Sequence, residues 1–178
     1  LGLQEKYGKD SVDYTKVFAG QMVEYLVDEL SKQGYHLLIE GTLRTTEVPR
    51  KTAQLLTTRG YQVSLAVIAT KPELSYLSTL IRYEELYAID PSQARATPKA
   101  HHDGIVEHLV DNLRELENDK IFNQIQIYQR DQSCVYDSQV DEASAAEVLH
   151  ECLFGKWSKV EEEMLKLGQE RLRELGRD

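Results

Sequence analysis

The sequence predicts an α/β domain, a parallel sheet flanked by helices, and three consecutive stretches carry that prediction. Residues 35–39 form an apolar run between Gly34 and the polar turn Glu40-Gly41-Thr42-Leu43-Arg44. Residues 48–59 read as a helix, with Pro49 suited to its first turn and Gly60 to its end. Residues 62–70 contain Val63, Leu65, Val67 and Ile68, the nearly continuous apolar run of a strand buried on both faces. Strand, helix and strand in so short a span make a βαβ unit, whose crossover is expected to be right-handed.

The remaining elements follow from periodicity and end signals. Residues 1–10 are polar, contain Gly2 and Gly8, and read as a loop or short helix. Residues 14–33 place Phe18, Met22, Leu26 and Leu30 at four-residue steps beside Val23 and Val27, a helix with one buried stripe stopped by Gly34. A long helix is expected from Pro72 to about Ala88, with Leu74, Leu77, Leu80, Ile81 and Tyr87 inward. Residues 90–98 are a loop bounded by Pro91 and Pro98. Thr97 as N-cap and Pro98 at the first helical position open a helix to about Asn118. Residues 125–128 read as a strand, Asp131-Gln132 as a turn and residues 134–136 as its return. Helices close the chain at residues 141–153 and 158–175, Ser158 and Glu161 forming a capping box for the second. No internal repeat or linker interrupts this, so residues 1–178 are expected to form a single domain.

Composition narrows the function. A net charge of −9 lacks the Lys/Arg excess that general nucleic-acid or anionic-membrane binding requires. No apolar run approaches the roughly 18 residues of a membrane span, and no signal peptide is recognised, so a cytoplasmic protein is expected. Cys134 and Cys152 lack metal or redox spacing and read as reduced, mostly buried thiols. His101, His102 and His108 lack a metal-ligating partner four residues on, where Ile105, Val106 and Asn112 stand, so no metal site is expected. No Gly-x-Ser-x-Gly elbow occurs. Both Gly-Lys pairs, at Gly8 and Gly155, fail the Walker pattern, because Asp10 and Trp157 stand where Ser or Thr is needed.

Two constellations remain. Ligands of open α/β sheets gather outside the carboxyl ends of strands, where the Glu40-to-Arg44 turn would sit. Glu40 and Thr42 offer an acceptor and a donor to a substrate hydroxyl, and Arg44 a fork for phosphate. An ordinary loop with a capping threonine explains the same residues equally well. Arg82 and Arg95, in or beside the proline-bounded loop, suit neutralisation of charge in phosphoryl transfer. A surface pair of Arg82 with Glu85 is the plainer account. Glu24 reads as a solvated carboxylate.

At these same residues the chain resembles the zeta toxin family of bacterial toxin–antitoxin systems, in particular its pneumococcal-type members. The resemblance covers essentially the whole chain. It is carried by Leu3-Gln4, Tyr7-Gly8-Lys9-Asp10-Ser11-Val12 and Leu38-Ile39-Glu40-Gly41-Thr42-Leu43-Arg44-Thr45. It continues through Ala69-Thr70-Lys71-Pro72-Glu73-Leu74-Ser75-Tyr76-Leu77, Arg82-Tyr83-Glu84-Glu85-Leu86-Tyr87, Ala94-Arg95-Ala96-Thr97-Pro98 and His101-His102-Asp103.

The resemblance implies a P-loop-kinase-type fold and ATP-dependent phosphorylation, with Mg²⁺, of the 3′-hydroxyl of UDP-N-acetylglucosamine, with a cognate antitoxin as protein partner. Glu40, Thr42, Arg44, Thr52 and Glu24 would line the sugar-nucleotide site, and Arg82 and Arg95 would face the transferred phosphate of ATP. The family's Walker loop and its general-base aspartate match nothing in residues 1–178 and would precede Leu1, so the chain is expected to be N-terminally incomplete and inactive alone. In the implied strand order, the strand entering the P-loop lies between residues 35–39 and 63–68, which are therefore not hydrogen-bonded neighbours. A non-catalytic sugar-nucleotide module and another small-molecule P-loop kinase are the rival readings.

Overall fold

The computed structural model describes residues 11–176; the loop or short helix expected over residues 1–10 lies outside them. In chain order the elements are α1 (Ser11–Lys32), α2 (Glu47–Thr58), β1 (Ser64–Ala69), α3 (Pro72–Ile89), α4 (Lys99–Asp119), β2 (Gln124–Gln129), β3 (Cys134–Asp137), α5 (Ala145–Phe154) and α6 (Lys159–Glu174). Contacts divide them into two compact units, one of residues up to Glu40 with Arg82–Ala96, the other of Gly41–Ile81 with residues from Thr97 onward.

The second unit holds the sheet, in the order β1-β2-β3. β1 and β2 run parallel, Val67 opposite Ile127, and β2 and β3 form an antiparallel hairpin. Its turn is set by Asp131, whose carboxylate accepts from the backbone N–H and the hydroxyl of Ser133. Val67, Ala69, Ile125 and Ile127 bury one face of the sheet with Val110 and Leu113 of α4 and Ala145, Ala146 and Leu149 of α5. The expectation that the β1 run is buried on both faces fails, since Ile68 on the other face is 62% exposed.

Two helix starts differ from expectation. Pro98, not Thr97, is the N-cap of α4, and its carbonyl accepts from the N–H groups of His101 and His102. α5 begins at Ala145 rather than Asp141, because a distant carboxylate selects its first turn. Glu117 of α4 accepts from Ser144 Oγ at 2.8 Å and from the Ala145 N–H at 2.6 Å, satisfying donors that a helix start leaves open. The capping box of α6 forms as expected, with Glu161 N–H donating to Ser158 Oγ and Ser158 N–H to the Glu161 carboxylate. Gly168 lets α6 lie close on α3, since a Cβ there would fall 2.7 Å from Leu77 Cδ2.

In the first unit, α1 forms as expected and ends in the Gly34 turn, with φ +78°. Its stripe is not buried: Phe18 is 63% exposed and Leu26 46%. Residues 35–39 are not a strand; they belong to no sheet, and Leu38 is 92% exposed. A strand exists through its ladder, and no described residue supplies one here. The βαβ unit expected from residues 35–70 therefore does not form. The parallel pair is instead β1 with β2, connected through α3 and α4.

Candidate functional site

The turn before α2 is held in an unusual backbone state. Leu43 has φ +53°, left-handed in a residue with a side chain, a conformation that costs roughly 1–2 kcal/mol. Two interactions hold it there. The Leu43 side chain packs against the hydrophobic core of the sheet. The Asn112 amide of α4 donates to the carbonyl oxygens of both Leu43 and Arg44, each at 2.9 Å. Strain maintained by surrounding structure is a mark of functional turns.

The helix that follows is fixed to the same support. Arg50 of α2 reaches Glu115 of α4 and, at 2.7 Å, Asp119. These carboxylates, Glu115 before Asp119, raise the affinity of the guanidinium for its proton. Ala53 and Leu56 bury the inner face of α2. Thr46 occupies the N-cap position but is buried, and its side chain caps nothing. The capping role that the plainer account gave a threonine is therefore not performed by Thr46.

Thr42 and Arg44 are exposed in this turn, and Thr52 is half-buried on α2. Glu40, also exposed, is the last residue of the first unit, and Gly41 opens the second. Glu24 lies exposed on α1, Arg82 exposed on α3 and Arg95 exposed in the loop before α4, all within the first unit. The structure thus gathers Thr42, Arg44 and Thr52 on one scaffold and places Glu24, Arg82 and Arg95 in the other unit. Among the described residues, no hydrogen bond or ion pair engages the side chains of Glu24, Glu40, Thr42, Arg44, Arg82 or Arg95, so the pair of Arg82 with Glu85 is not made.

Sequence reasoning passed over Asn112, and its signal was faint, a single amide between the apolar residues Leu109, Val110 and Leu113. It also passed over Lys71, at the carboxyl end of β1, which is 2% exposed and donates to the Gly155 carbonyl at 2.9 Å. The reading of the cysteines as mostly buried needs correction: Cys134 is exposed and Cys152 half-buried, both free thiols. Burial pushes the Cys152 thiol up. His102 is a core histidine, its Nε2 lying 3.2 Å from Ser75 Oγ. Among the described residues, no group of three His, Cys, Asp or Glu is arranged to hold a metal, and no helix is long and apolar enough to cross a membrane. The chain contains no Gly-x-x-x-x-Gly-Lys-Ser/Thr run, the pattern whose backbone N–H groups cradle nucleotide phosphates.

Comparison with known proteins identifies the class. A solved structure from the PezAT chromosomal toxin–antitoxin system of Streptococcus pneumoniae superposes with a TM-score of 0.91 at 68% identity, over 98% of this chain and 69% of that one. The fold is therefore of the P-loop-kinase type. Toxin PezT of S. pneumoniae serotype 4 is 70% identical over 175 residues, which cover 98% of this chain and 69% of that protein. Toxin zeta of Streptococcus pyogenes is 43% identical over 136 residues, 76% of this chain and 47% of that protein. The zeta toxin family model matches residues 1–141. The chain belongs to the zeta toxin family, the toxins of toxin–antitoxin systems.

Proposed function

We propose that this protein, in a form that includes a Walker loop, is a cytoplasmic kinase that phosphorylates the 3′-hydroxyl of UDP-N-acetylglucosamine at the expense of ATP and is restrained by a cognate antitoxin. Loss of that sugar nucleotide would starve peptidoglycan synthesis. Family membership supports the phosphotransferase class, and the Leu43 turn is the observation that carries the substrate site. A strained turn clamped by Asn112 keeps Thr42 and Arg44 exposed and uncommitted on a rigid support.

In this reading Glu40 and Thr42 accept from and donate to sugar hydroxyls, Arg44 pairs with the diphosphate, and Thr52 and Glu24 complete the site. Arg82 and Arg95 stabilise charge on the phosphoryl group in flight. The 178 residues contain no Walker run, so this chain by itself is expected to be inactive.

The test is ATP-dependent transfer to UDP-N-acetylglucosamine, followed by mass spectrometry on protein that includes the Walker loop. Arg82→Ala and Arg95→Ala are each expected to lower turnover by about 10³-fold or more, with sugar-nucleotide binding retained. Absence of product from the unsubstituted protein would leave the non-catalytic module. Product from a different small-molecule acceptor alone would leave another kinase.

A further inference from the structure

We propose that a groove in the second unit, away from the strained turn, docks a basic segment of a partner protein, an arginine side chain lying against Trp157. The groove has a volume of about 470 Å³ and is formed by the first turn of α3, the first half of α4 and the junction of α5 with α6. Its floor is Leu153, its aromatic wall Phe154 and Trp157, and its acidic rim Glu73, Asp103 and Glu107.

The chemistry of the rim selects the occupant. Asp103 already has a cation, Lys99, whose Nζ lies 2.6 Å away and holds the Asp103 carboxyl below the usual carboxylate range. Among the described residues, Glu73 and Glu107 have no such partner. Asp103 and Glu107 are one helical turn apart on α4, a spacing at which like charges repel. Lys71, the nearby buried cation, is committed to the Gly155 carbonyl. Carboxylates left uncompensated beside the exposed Phe154 and the half-buried Trp157 attract cations. A guanidinium suits both, because it stacks flat on an indole and forks to a carboxylate. The carboxylates come from two helices, a spread that matches successive basic residues of a peptide better than one small ion.

The aromatic wall is rigidly presented. A Cβ at Gly155 would fall 2.4 Å from the Glu151 carbonyl oxygen, so the chain can turn this tightly only at glycine. Lys71 ties that turn to the end of β1. The wall, Leu153 to Trp157, also lies beyond the 1–141 match to the family model, yet the PezT alignment spans 98% of the chain. The acidic rim of Glu73, Asp103 and Glu107 lies within that match, so the groove joins a family-wide rim to a wall outside it.

Trp157 is the chain's single tryptophan, so its fluorescence reports the groove directly. The probe is acetyl-Arg-Gly-Arg-Gly-Arg-amide, with its citrulline counterpart and free arginine amide as comparisons. Saturable change with the arginine peptide and none with citrulline is expected. In the double substitution Glu73→Gln with Glu107→Gln the affinity should fall about tenfold. An equal response to the citrulline peptide, or unchanged affinity in the double variant, would overturn the proposal. Saturation by arginine amide at the same concentration as the peptide would also overturn it, because the groove would then read one small cation.

Discussion

The two units respond oppositely to the same kind of sequence. In the second, apolar residues at helical and strand spacing end in a core: Leu113, Leu116, Ile127 and Leu149 are all 0% exposed. In the first, α1 shows an equally regular stripe, yet Val17, Phe18, Val23 and Tyr25 are each more than half exposed. Residues 35–39 show the same contrast against β1. Both are short apolar runs, but β1 finds β2 at its side and residues 35–39 find no strand among the described residues. Periodicity states which face an element must bury. It does not state whether a surface is present to bury it against.

The contrast should be largest in the response to truncation. Leu149→Ala, in the core, is expected to cost about 2–5 kcal/mol, read from urea unfolding of the second unit. Phe18→Ala should change the same transition by no more than about 0.5 kcal/mol. Comparable losses would mean that the α1 stripe is buried in solution. A smaller effect is expected at the clamp between the turn and α4. Asn112→Ala leaves the Leu43 and Arg44 carbonyls without their donor and should cost about 1–3 kcal/mol. If the turn is the substrate site, UDP-N-acetylglucosamine affinity measured by calorimetry should fall along with it, whereas Thr57→Ala, exposed on α2, should leave both unchanged.

The smallest effect concerns the hairpin of the second unit. The Asp137 carboxylate accepts from the Gln124 side chain, the Gln139 N–H and the Gln126 side chain. These hydrogen bonds, Gln124 first, hold its carboxyl below the ordinary range. A depressed folded-state pKa contributes stability above the unfolded value, lost as pH falls through the folded one. Thermal unfolding should therefore show an acid-side decline beginning near about pH 4. Asp137→Asn should make that decline shallower and leave the slope above pH 6 unchanged. An identical acid limb in the variant would remove Asp137 from the account.

Much of this was legible along the chain because it rests on local chemistry. The capping box of Ser158 and Glu161, the Asp131 turn, the β2–β3 hairpin and the span of α3 depend on residues a few positions apart. The motif around Glu40, Thr42 and Arg44 was equally visible, because residue types in order suffice to show a family. The rest depended on partners far away in sequence. Asn112 reaches back 69 residues to hold Leu43 in a left-handed state, Glu117 reaches 28 forward to start α5, and Lys71 crosses 84 to Gly155. None of those pairings leaves a periodicity or spacing to read. The apolar pattern of residues 35–39 shows a segment with an apolar face, and the structure leaves Leu38 92% exposed. Whether it becomes a strand is settled by backbone hydrogen bonds from another segment, which no run of side chains can supply for itself.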